Sequence, residues 1–128
     1  MPYTYNWLVE GRIMSLHAYG KWTLDELDTS VREFAEKYLD ESSQHVHLVI
    51  NVSEITSMPY NVKRIKEAVT PLHAHEMSEW TVFVGMKNPV MKMVVAIITQ
   101  LNNRKVKEVE TQDDALHFLR RVDVTLLE

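Results

Sequence analysis

Apolar residues follow two periods along this chain. Where they alternate with polar ones, or run together for about six positions, the pattern predicts strands; where they recur every three or four residues, it predicts helices. Residues 5–9 read as a short strand and Glu10-Gly11 as a turn. Residues 12–19 read as a second strand, in which Leu16 and Ala18 alternate with Ser15 and His17. These two predict an antiparallel hairpin ended by Gly20. Thr23 and Glu26 have the spacing of a capping box, so a helix starts there. It runs to about Asp40, with Leu24, Leu27, Val31, Phe34, Ala35, Tyr38 and Leu39 on one face.

Residues 46–52 are apolar on both faces, which predicts an interior strand covered on both sides. A polar loop over 53–61 follows, and a helix starts near Tyr60 with Val62, Ile65, Val69 and Leu72 as its stripe. Pro71 lacks an N–H and crowds the preceding turn, so it is expected to kink or restart this helix, with one further turn over 71–75. Residues 80–85 are a second buried-strand pattern. Asn88-Pro89 starts a helix over 90 to about 102, with Asn as cap and Pro in the first turn. Residues 105–109 read as a short edge strand, and Thr111 caps a last helix over 112 to about 121. The order is ββαβαβαβα. It predicts a single α/β domain over residues 1–128: a mixed sheet of about five strands with four helices, parallel crossovers, and one antiparallel strand from the hairpin.

Composition narrows the function. A net charge of −4 disfavours nucleic acid as a partner. There is no Cys, which excludes disulfides and thiolate metal sites and agrees with a cytoplasmic location. The N-terminus has no signal-peptide pattern, and the longest apolar run, 93–98, is far short of the roughly 20 residues of a membrane span. The six His suggest no metal site. His73 and His75 fall about 200° apart on a helix, no His-Glu-x-x-His occurs, and His45 and His47, on one side of a strand start, read as solvated or packed. With three Gly, no Gly-x-Ser-x-Gly and no phosphate loop, the chain reads as a non-enzyme without cofactor.

Two places carry candidate function. The first is the loop with Ser53, Thr56, Ser57, Tyr60 and Asn61, together with Lys87 and Asn88. Both segments precede helix N-termini at the ends of strands, where an anion or phosphopeptide could sit. The same residues equally serve as local caps. The second is the helix over 90–101, apolar nearly all round. Val90, Met91, Met93, Val94, Ile97, Ile98 and Leu101 either wedge it between sheet and neighbours or form a patch for a partner or a second copy.

Val49-Ile50-Asn51-Val52-Ser53-Glu54-Ile55 resembles the strand and turn of STAS domains, the sulfate-transporter and anti-sigma-factor-antagonist family. Trp80 to Gly85 before Asn88-Pro89, and Thr111, Ala115, Leu116, Leu119 and Asp123 near the C-terminus, look like the STAS-like bacterial proteins. The resemblance implies a non-catalytic regulatory module that binds a protein partner, or itself as a homodimer through the helix over 90–101. Its alternative is a small apolar or acyl ligand between sheet and helices. The antagonists' phosphorylated Asp-Ser-Ser-Gly segment falls on Pro59-Tyr60-Asn61-Val62, so the usual phosphoacceptor is missing. A switch of that kind would need Thr56 or Ser57 instead.

Overall fold

The computed structural model describes residues 2–101 and 105–127. Five strands form one sheet in the order β1 (Tyr3–Val9), β2 (Ile13–Lys21), β3 (Val46–Ser57), β4 (Ser78–Val84) and β5 (Val106–Val109). β1 and β2 are the antiparallel hairpin, and every later pairing is parallel. The helices are α1 (Leu24–Glu33), α2 (Val62–His73), α3 (Pro89–Leu101) and α4 (Gln112–Val122). The predicted order therefore holds, and β1 and β5 are the edges.

α1, α2 and α3 cover one face of the sheet, over Met14, Leu16, Leu48, Val52 and Phe83. α4 covers the other with Ala115, Phe118 and Leu119 packed on Ile13, Val49, Val82 and Val84. That is why the middle strands are apolar on both sides. Each fully buried Ile, Leu or Val contributes roughly 1.5–3 kcal/mol, and the two layers form on opposite sides of β2, β3 and β4.

Four expectations are corrected. First, Gly20 does not end β2. It takes φ 74, the register slips between it and Lys21, and the strand runs on. Second, β3 is longer than predicted. Opposite that extension of β2 it continues to Ser57, with Val52 and Ile55 inward, so Ser53, Thr56 and Ser57 are strand residues. The true loop is 58–61. Third, α1 gives way at Phe34 to a π-helical stretch, Phe34–Leu39, which still buries Phe34, Ala35 and Leu39. Fourth, α2 passes through Pro71 without a break.

α3 settles the question of its own apolar circumference. Met91, Val94, Ile97 and Ile98 are inside the core, and Val90 and Leu101 pack against it half-buried. The helix lies on the sheet with α2 alongside, so two of its sides are covered. Of the residues predicted for a partner-facing stripe, Met93 alone is largely exposed, at 47%. Among the described residues most of the stripe is therefore packed inside the chain. The predicted end near residue 102 lies outside the described residues.

Candidate functional site

The loop 58–61 and the turn 85–88 lie at the C-terminal ends of β3 and β4, where open α/β sheets keep their sites. Three Asn side chains organise this rim. Asn51 Oδ1 accepts from the Ser53 N–H at 3.0 Å and from its hydroxyl at 2.7 Å. Asn61 is the N-cap of α2, and its Oδ1 accepts from the Arg64 N–H at 3.0 Å. Asn88 Oδ1 accepts from the Val90 N–H at 2.8 Å at the start of α3. The capping role expected for Asn88 is therefore met, while Ser53 and Thr56 cap no helix. Ser53 is held in another way: a Cβ on Gly85 would come 2.8 Å from the Ser53 Cβ, and Gly85 has φ 70. Only glycine lets β4 end this close to β3.

What remains outward at the rim is Thr56, Ser57, Tyr60, Val62 and Lys87. Tyr60 is 45% and Val62 39% exposed, the two large apolar residues at the entrance to α2. Pro59 and Tyr60 occupy the loop and Val62 the first helical turn, so the segment that would carry the antagonists' phosphoacceptor holds no Ser or Thr. Ser57 ties down the segment that follows β2: its carbonyl accepts from the Trp22 N–H at 2.9 Å. An anion is poorly served here. Both helix entries at this rim are filled by Asn side chains, and Lys87 and Lys92 line a hollow shared with Glu108 and Glu110.

The N-terminal end of the sheet holds a cluster that periodicity could not show. His47, on β3, is 1% exposed. Its Nδ1 accepts from the Trp80 N–H at 3.3 Å, so Nε2 carries the proton and donates to Asp123 Oδ2 at 2.8 Å. Arg12 Nη2 donates to the same carboxylate oxygen at 2.9 Å and to the Thr125 hydroxyl at 2.9 Å. The Thr125 hydroxyl and N–H both donate to Asp123 Oδ1, at 2.5 and 3.1 Å. Burial lowers the His47 pKa, outweighing the opposing pull of Asp123, so the imidazole is neutral. Burial would raise Asp123, but the Thr125 hydroxyl, His47 and the Thr125 N–H outweigh it and hold the carboxyl at about 2. With its proton committed to a carboxylate and no hydroxyl nucleophile on the ring, this dyad is an anchor for the C-terminal turn Val124–Leu127.

The remaining histidines are dispersed. His75 meets Asp40 at 2.7 Å, His45 lies 4.0 Å from Glu79, and His17 pairs with Glu54 across β2 and β3. His45, exposed before the strand, does not share the buried setting of His47. Among the described residues no three acidic or His side chains gather as a metal site, and no helix is long and apolar enough to cross a membrane.

No family model matches the chain, and no curated protein sequence matches it. Solved structures do. The anti-sigma factor antagonist SpoIIAA in its unphosphorylated form superposes with a TM-score of 0.62 at 12% identity, over 92% of this chain and 96% of that one. An uncharacterized protein of the DUF3478 family with a SpoIIAA-like fold, from Shewanella loihica, gives 0.63 at 13% identity, over 91% of each chain. Phosphorylated SpoIIAA, described as a Bacillus cell fate determinant, gives 0.57 at 11% over 92% of this chain and 99% of that one. The chain has the SpoIIAA-like, STAS-like fold that the resemblance implied, and at these identities the likeness is one of fold.

Proposed function

We propose that this chain is a non-catalytic regulatory module that binds a protein partner through the rim formed by loop 58–61 and the first turn of α2. The observation that carries it is how the rim's polarity is used. The Asn side chains are spent on local hydrogen bonds, and Tyr60 and Val62 are left facing solvent beside Thr56 and Ser57. An exposed Tyr with an apolar neighbour in a polar surround is the composition of a protein contact, in which aromatic anchors dominate. The SpoIIAA-like fold supports the reading, because two of the similar structures are of an anti-sigma factor antagonist. Pro59-Tyr60-Asn61-Val62 makes the usual phosphoserine switch unavailable, so binding here is constitutive or governed elsewhere.

A photo-crosslinking residue in place of Tyr60 tests this in the native cell. One at exposed Glu10, in the β1–β2 turn at the opposite end of the sheet, is the control. We expect one discrete adduct from position 60 that disappears when Val62→Asp is added, and no such adduct from position 10. Equal labelling from both positions, or none, would sink the proposal. An adduct of twice the chain mass identifies the partner as a second copy, which light scattering at high micromolar concentration then checks.

A further inference from the structure

The two edges of the sheet are guarded unequally. β5 is four residues long and carries Lys107 and Glu108, the short, charged form that keeps an edge from pairing. β1 has seven residues, none of them charged and none a proline. The direction of its backbone groups follows from one bond. The Tyr19 N–H donates to the Pro2 carbonyl at 2.9 Å, so Pro2 and Tyr19 are a hydrogen-bonded pair of the hairpin. Bonded and non-bonded pairs alternate along an antiparallel ladder. Thr4 with His17 and Asn6 with Ser15 are therefore bonded pairs, and the N–H and C=O groups of Tyr3, Tyr5 and Trp7 point away from β2. These groups have no hydrogen-bond partner among the described residues. The register becomes irregular only after Trp7, so residues 3–7 form a regular, open template.

We propose that β1 pairs, antiparallel, with β1 of a second copy of this chain, joining the two sheets into one across a twofold axis at Tyr5. The contact uses an edge and not the rim, and it does not depend on the reading of the rim. The twofold axis sets Tyr3 opposite Trp7 of the second copy and Tyr5 opposite its own counterpart, each pair exchanging backbone bonds, while Thr4 faces Asn6 at the non-bonded positions. Two observations select a second copy as the occupant. A strand without charges sets no like charges opposite each other when it pairs with itself. The helical layer above it is also complementary in charge. The Tyr3 hydroxyl donates to Glu33 Oε1 at 3.4 Å, so Glu33 sits over the Tyr3 end of the strand. Trp7 packs edge-on against Tyr38 with ring centroids 5.8 Å apart, and Lys37 Nζ lies 5.5 Å from the centre of the Tyr38 ring, so Lys37 sits toward the Trp7 end. Both side chains line one open hollow. Pairing Tyr3 with Trp7 then brings Glu33 of each copy toward Lys37 of the other, twice by symmetry.

Light scattering of the full chain at high micromolar concentration should give twice the chain mass, and Val62→Asp, which disables the rim, should leave that mass unchanged. Thr4→Lys with Asn6→Lys, both at exposed positions, sets Lys against Lys across the axis and should return the monomer mass with the circular dichroism unchanged. Lys37→Glu should weaken the dimer about tenfold, and adding Glu33→Lys should restore it. The chain has no Cys, so introduced thiols report on the register alone. A mixture of Thr4→Cys and Asn6→Cys should oxidise to one mixed disulfide, since facing non-bonded positions lie within disulfide reach. Either variant alone should not, because like positions are about 8 Å apart in this register. The proposal is overturned by a monomer at high micromolar concentration, by a dimer that Val62→Asp dissolves or the two Lys do not, by a charge swap that restores nothing, or by disulfides that form as readily in either variant alone.

Discussion

The two ends of the sheet hold their polar groups in opposite ways. At the C-terminal rim the Asn side chains act locally: Asn51 to Ser53, Asn61 to Arg64 and Asn88 to Val90 span two or three residues. At the N-terminal end the bonds span the chain, with Arg12 and Asp123 separated by 111 positions and His47 and Asp123 by 76. Local caps satisfy one N–H at a time and leave the surface around them free to vary. The long-range cluster satisfies a buried imidazole and a guanidinium with one carboxylate, so its members stand or fall together. The rim is thus the part of the molecule that can be given over to recognition, and the opposite end is the part that cannot be touched.

Removing Asp123 should break this contrast most severely. Asp123→Ala leaves the His47 Nε2–H buried without an acceptor and Arg12 without its carboxylate. A loss of about 3 kcal/mol is expected in urea unfolding, with Asp123→Asn recovering part of it. A loss below that of a simple cap would mean that the cluster is not cooperative.

Acid should probe the same end by a different route. The His47 pKa is lower folded than the ordinary 6.5, so as pH falls the unfolded chain takes the proton first. Stability is therefore full above about pH 6.5 and declines below it, by no more than about 1.4 kcal/mol per pH unit for this one proton. Asp123, held at about 2 against an ordinary 3.8, adds stability above 3.8 that is lost as pH falls toward 2. Urea midpoints measured from pH 7 to 3 should show both windows. In His47→Leu the upper window should be absent, and an unchanged slope there would assign it to another group.

The smallest effect should come from the rim. Asn61→Ala removes the cap of α2 and should cost about 1 kcal/mol with the fold intact, measured in the same urea series. Combined with Asp123→Ala the two losses should add to within about 0.5 kcal/mol, because the sites share no partner. A clear excess would show that the ends communicate.

The same contrast explains what could be read in the sequence. Thr23, Glu26, Asn88 and Thr111 act within three residues of themselves, so their capping was legible. Element order was legible because apolar period reports local geometry, and sequential strands lie side by side. The extent of β3 was not legible, since Ser53, Glu54, Thr56 and Ser57 look like a loop until β2 is seen running past Gly20 to pair with them. The burial of α3 was not legible either: an apolar circumference is the same string of letters whether α2 covers it or solvent does. Asp123, noted only as part of a C-terminal pattern, gave no sign of its partner, because nothing local links positions 47 and 123.

The separation of His47 from Asp123 also has a meaning in time. The strands can join the sheet in the order in which they leave the ribosome, each beside the one before. The acceptor for His47 arrives 76 residues later. At 5–20 residues per second, the nascent chain carries an unmatched imidazole for roughly 4–15 s. Asp123 thus completes a cluster begun with Arg12 and His47, and a chain cut before Asp123 would hold all five strands without that closure.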